Sequence, residues 1–157
     1  MDVLISIRPE WCDKIISGEK TIEVRKTRPK IDTPFRCYIY ETKGKTNVPW
    51  MDEDGHMIFK GQGMVIGQFI CDSITRFGVP YPAYHEKLDQ DIKQQSCLSY
   101  MNLHDYAGHR DLYGWHISEL NIYDEPKELK QFQIPTTFPA RRIRQAPQSW
   151  IYVEEIT

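Results

Sequence analysis

Apolar positions near the start of the chain change period twice, and each change marks an element. Val3-Leu4-Ile5-Ser6-Ile7 is a short apolar run that predicts a buried strand. Trp11, Cys12, Ile15 and Ile16 then recur at helical spacing, after Pro9 and Glu10 at a suitable helix start. Gly18 supplies the left-handed stop. Beyond it the period becomes two: Ile22 and Val24 face one way, and Thr21, Glu23 and Arg25 the other. By that alternation Lys20 falls out of phase with Glu23 and Arg25.

Further along, residues 36–42 alternate as a strand, with Cys37 and Ile39 opposed to Tyr38 and Tyr40. Residues 43–62 read as an inserted hairpin turning at Asp54-Gly55. The run 64–74 is a long apolar strand in which Gly67 marks a bend or bulge. Pro80 and Pro82 break the pattern, and residues 83–108 predict helix in two pieces. Ser99 caps the second piece, Leu103, Tyr106 and Ala107 form its apolar stripe, and Gly108 closes it. A strand over 112–123, a loop punctuated by Pro126, Pro135 and Pro139, and a last strand from Trp150 complete the chain. About six strands with helices between them predict an α+β fold, a small mixed sheet strongly curved or closed as a barrel. They do not alternate regularly with helices, which counts against a doubly wound fold.

Composition adds limits. At 157 residues, 40% hydrophobic and 27% charged, the chain is expected to form one domain over 1–157, with insertions at about 43–62 and 83–108. It carries neither a membrane-length apolar run nor a signal-peptide pattern, so a cytoplasmic location is expected. The four cysteines, Cys12, Cys37, Cys71 and Cys97, lack knuckle or dithiol spacing and read as free buried thiols. His104 and His109 are five apart, the wrong interval for one helical face, and no metal site is expected. No phosphate-cradling glycine loop or nucleophile elbow is present, and no cofactor is expected.

Charge changes the picture more. The net charge is only −2, yet Lys20, Arg25, Lys26, Arg28 and Lys30 stand against Glu23 alone within residues 20–30. Arg141, Arg142 and Arg144 form a second basic segment. Basic ground on a neutral body fits a phosphate-bearing ligand, although a solvated surface has the same composition. Arg25 offers a planar fork, and Glu23 beside it can orient that fork or accept from a base amine. The alternative is a structural Glu-Arg pair.

The motif Gly18-x-Lys20-x-x-Glu23-x-Arg25, after Ser6-Ile7-Arg8-Pro9 and a short helix, resembles the signature of ASCH domains. Tyr113-Gly114-Trp115-His116-Ile117-Ser118-Glu119-Leu120 and Pro147-Gln148-Ser149-Trp150 extend the resemblance, particularly to bacterial and prophage-type members. It implies a PUA-like small β-barrel, with a short helix after the first strand and helices inserted before the Trp-His strand. It also implies a cleft between that helix and the barrel, with the motif's polar residues on the wall. The expected partner is RNA or a nucleotide-like ligand, held by Lys20, Glu23, Arg25 and Lys26. Tyr40 or Trp115 would stack on a base, and His116 would touch the ligand.

Some relatives are amidohydrolases acting on acetylated cytidine, and others are ribonucleases. Of the amidohydrolase lysine, threonine and glutamate, only the lysine carries over, onto Lys20. The threonine falls on Glu23, and the glutamate falls near Gln95 or Ser96, so catalysis is not the leading expectation. A phage-related protein-interaction module is the remaining alternative.

Overall fold

The computed structural model describes residues 1–44, 50–51, 54, 57–58, 61–135 and 139–156. At its centre lies β1 (Asp2–Ile7), followed at once by α1 (Pro9–Ile16). Pro9 occupies the first turn of α1, and Gly18 stops the chain at φ 83°, a value that favours glycine. Then come β2 (Ile22–Arg25) and β3 (Phe35–Glu41). The short pair β4 (Trp50–Met51) and β5 (Met57–Ile58) forms the expected hairpin, while Gly55 of its turn lies outside the described residues. The long strands β6 (Met64–Phe77) and β7 (Leu112–Lys127) bracket α2 (Gln90–Ser96) and α3 (Tyr100–Ala107). β8 (Phe132–Ile134), β9 (Arg141–Arg142) and β10 (Trp150–Glu155) complete the order.

Eight strands make one sheet in the order β2-β7-β6-β3-β1-β10-β8-β9. β1 pairs in parallel with β3 and antiparallel with β10, so the sheet is mixed. It is not closed: β2 and β9 are its two edges. The α+β, PUA-like architecture thus takes the curved-sheet rather than the sealed-barrel form.

Both faces of the central strands are buried, which explains why they read as apolar runs with a two-residue period. Val3, Ile5, Ile7, Cys37, Ile39 and Phe69 face α1 and pack with Cys12, Ile15 and Trp115. Leu4, Tyr38, Tyr40 and Val65 face the other way and pack with Phe132 and Val153. A third cluster seats Ile22 and Val24 of β2 against Leu88, Ile92, Leu103 and Ala107 of the helical insertion.

Gly67 sits where the β3–β6 and β6–β7 registers shift, and a Cβ there would lie 2.5 Å from the Asn121 carbonyl oxygen. The bulge is therefore required by close approach of β7. Ser99 caps α3 through a reciprocal box with Asn102, and Gly108 closes that helix.

Several expectations need correction. The insertion begins with a 3₁₀ segment, Pro82–Lys87, so it comprises three pieces rather than two. β7 continues through Pro126, because residues between the Gly67–Ile122 and Val65–Lys127 pairs lie in a register shift where no ladder N–H is needed. Tyr106 is 37% exposed and does not share the buried stripe of Leu103 and Ala107. Cys12, Cys37 and Cys71 are buried free thiols, but Cys97 is only half-buried, at the left-handed end of α2.

Candidate functional site

β2 is only four residues long, and all four are buried. Its apolar residues go under α2 and α3, leaving Glu23 and Arg25 to enter the space between α1, β7 and the chain before β10. Arg25 Nη2 donates to the Ser6 carbonyl at 2.7 Å. Arg25 Nη1 donates to the Ser149 hydroxyl and carbonyl at 3.3 and 3.4 Å. Its Nε donates to Glu23 Oε1 at 3.1 Å, and Nη2 lies 3.1 Å from the same oxygen. Every edge of the guanidinium is engaged, which fixes the Glu23 carboxylate in place.

Lys20 completes the cluster from outside the strand. Its backbone N–H donates to the Lys14 carbonyl of α1 at 3.0 Å, so it belongs to the turn after that helix and is free of strand alternation. Its Nζ donates to the Ser96 carbonyl at 2.6 Å, lies 3.6 Å from Glu23 Oε2, and stands 5.1 Å from the Trp11 ring centre. The exposures of Lys20, Glu23 and Arg25 are 2%, 6% and 8%, so these side chains sit inside the protein rather than on an open wall. Burial lowers the Lys20 pKa, and the adjacent Glu23 carboxylate opposes that shift. Glu23 Oε2 is buried without a close hydrogen bond, and the Lys20 ammonium 3.6 Å away is its ion-pair partner.

The other expected residues are placed differently. Lys26 is exposed at the rim, its Nζ 4.8 Å from the Tyr106 ring centre. Trp115 pairs in register with Glu23 but is fully buried, its indole N–H donating to the Thr27 carbonyl at 3.3 Å. It stands edge-on to Phe35 and Trp150, with ring centres 5.8 and 6.0 Å away. Tyr40 lies in the cluster on the other face of the sheet, where burial raises its pKa. His116 pairs with Ile22, on the opposite side of β7 from Trp115, and its Nε2 meets Thr75 Oγ1 at 2.8 Å. The structure therefore brings together Lys20, Glu23 and Arg25, with Lys26 beside them, and separates Tyr40 and His116 from the cluster.

Four contributors are not among the expected site residues. Ser6 and Ser96 act through backbone carbonyls, for which side-chain identity says nothing. Ser149 belongs to the Pro147-Gln148-Ser149-Trp150 motif, which implies no role for it. Tyr106 was counted as core. Burial raises its pKa, and the Arg25 and Glu23 charges both act on it, which places its phenol at the edge of the cluster.

Among the described residues no group of three or more His, Cys, Asp or Glu side chains is arranged to hold a metal ion, and no helix is long and apolar enough to cross a membrane.

The family model of the ASCH domain matches residues 5–132. The crystal structure of ASCH from Zymomonas mobilis superposes with a TM-score of 0.65 at 24% identity, covering 98% of this chain and 87% of that one. A single-substitution variant of the same protein gives 0.65 at 23%, covering 98% and 90%. No curated protein matches the chain in sequence. At these identities the structural likeness speaks for the fold alone. The ASCH family belongs to the PUA-like superfamily and is associated with RNA binding. With the family model spanning most of the chain and the fold matched along nearly all of it, this chain belongs to the ASCH domain family.

Proposed function

We propose that the chain, acting as one domain over residues 1–157, binds RNA or a nucleotide-like ligand between α1 and the sheet. The observation that carries this reading is the buried Glu23 carboxylate, fixed by Arg25 on one oxygen and met on the other only by the Lys20 ammonium at 3.6 Å. A carboxylate fixed by Arg25 and left one bond short is suited to an exocyclic amine of a base. Lys20 would add a donor to a neighbouring ring nitrogen or carbonyl, and Trp11 an aromatic wall. Arg25 serves as the positioning residue, since its own donors are spent on Ser6, Ser149 and Glu23. Outside the buried cluster, the exposed Lys26, Arg28 and Lys30 supply phosphate contacts.

Because the cluster is buried, entry requires its cover to part. Titration of labelled single-stranded RNA at two salt concentrations tests the reading. Binding should weaken with salt, and Glu23→Gln should lower affinity at both concentrations. Absence of binding at low salt overturns it.

A second reading rests on the lowered pKa of Lys20 beside Glu23. An amine that burial drives toward its neutral form is a candidate base or nucleophile for an amidohydrolase. It predicts turnover of acetylated cytidine that Lys20→Ala abolishes.

A further inference from the structure

The helical insertion carries a second concavity, on the far side of α3 from the Glu23 cluster. A space of about 180 Å³ opens between the end of β6 and the end of α3, lined by Val79, Pro80, Tyr81, His104, His109 and Arg110 among others. Arg110 is exposed and meets no carboxylate among the described residues. The neighbouring Asp111 is already taken by Arg76, whose Nε donates to it at 2.9 Å. Asp111 also lines the pocket but is held by Arg76, so Arg110 is a lining cation without an ion-pair partner among the described residues. The pocket lies at the C-terminal end of α3, where the helix dipole opposes an anion, so the charge of Arg110 has to outweigh it.

The wall is pre-arranged. The rings of His85, Tyr100 and His104 follow one another at centre distances of 6.0 and 5.6 Å. The Tyr100 hydroxyl donates to the Pro80 carbonyl at 2.6 Å, tying the mouth of the pocket to the helix. His104 Nδ1 is buried without a hydrogen bond and lies 3.6 Å from the Asp105 carboxylate. At the rim, Tyr81 is 72% exposed and directly precedes a 3₁₀ segment that buries none of its residues and carries Tyr84, 52% exposed. Large aromatics held in water by a segment with no core contribute little to folding, whereas they make a stacking platform.

We propose that this pocket is a second RNA subsite, taking one nucleotide of a single-stranded segment, its phosphate on Arg110 and His109 and its base on Tyr81. The proposal rests on the RNA-binding reading above and extends it to a surface unconnected with the ASCH motif. His104 and Ala107, three residues apart, share the pocket side of α3, whereas Tyr106 leaves the helix roughly 200° round from His104. α3 is thus a ridge about 10 Å across with one site on each flank, and a strand crossing it meets both.

The test uses the full chain, isotope-labelled for amide spectra and probed with uridine monophosphate, together with anisotropy titrations of a short labelled oligouridylate. The amides of residues 78–81 and 104–111 are expected to shift with the mononucleotide. Tyr81→Ala is expected to weaken oligouridylate binding about ten-fold. Arg110→Ala is expected to reduce the slope of log affinity against log salt by about 0.7. Both side chains are exposed, so both variants should keep the parent Tm. Unmoved amides overturn the second subsite, as do variants with parental affinity and salt slope. If Glu23→Gln alone impairs binding, the second subsite fails and the first stands. If Glu23→Gln is silent while the residues around the pocket respond, the first fails and the second stands.

Discussion

Ile22 and Val24 leave one side of β2 and enter an apolar cluster with Ile92, Leu103 and Ala107, while Glu23 and Arg25 leave the other side and enter a cage of carbonyls and a hydroxyl. The apolar face is held by non-directional contact, and any close-packed neighbour of similar volume would serve it. The polar face is held by bonds of fixed direction, and their tally does not close. Arg25 has a partner on each nitrogen, and Lys20 has Ser96, but the second Glu23 oxygen meets only the Lys20 ammonium, at 3.6 Å and without a close hydrogen bond. The difference between the two faces is therefore a difference between closed and open valence.

Substitutions can break this comparison. Arg25→Ala should be the most damaging, because it strands the Glu23 carboxylate in the interior; a loss of about 3–5 kcal/mol in urea unfolding is expected. Ile22→Ala should follow at about 3 kcal/mol, from lost burial and the cavity left under α2. If Arg25→Ala costs less than Ile22→Ala, the polar face is not the structural clamp described here. Glu23→Gln should cost less than either, about 1–2 kcal/mol, because the shape and one acceptor survive. Its larger effect should appear in RNA affinity, and a variant that loses stability while keeping full affinity would return Glu23 to a structural role.

The smallest effect sharpens the role of Lys20. Its folded-state pKa lies below the unfolded value, so between the two the unfolded chain holds more protons. Stability relative to Lys20→Met should then rise with pH through the window from that lowered value up to about 10.5, and be least favourable below it. Taking the difference between parent and variant removes the opposing contribution of buried tyrosines and cysteines, whose pKa values are raised. A pH-independent difference would mean that Lys20 is charged in the fold and fully paid back by Glu23.

The elements with a long period were legible in the sequence: β1, α1, β3, β6 and the capped α3 all follow from apolar spacing and stop signals. β8 and β9 were not, since strands of three and two residues are too short to show any period. Strand alternation alone aims Lys20 away from Glu23, but its backbone is still bonded to α1 and its long stem brings Nζ to 3.6 Å from Glu23 Oε2. Trp115 carries a polar nitrogen and an aromatic face that suit a ligand site, yet its N–H is satisfied internally and its ring is fully enclosed. Tyr106 shows the reverse error. Its spacing from Leu103 placed it in the stripe, but Lys26 draws the ring outward, and an ion contact across the fold leaves no trace in local spacing.

The helical insertion has one further consequence. Phe77 and Leu112 are direct partners in the β6–β7 ladder, so the chain leaves the sheet and returns to it at neighbouring points. The entire segment between them is topologically a hairpin loop, however much structure it contains. Descendants of this gene can lengthen, shorten or replace it without shifting the register of any strand. A replacement inherits few obligations: to roof Ile22 and Val24, and to offer carbonyls to Lys20 Nζ and the Thr21 N–H where Ser96 and Gln95 now do, so the outer surface can diversify while those inner contacts hold the β2 motif.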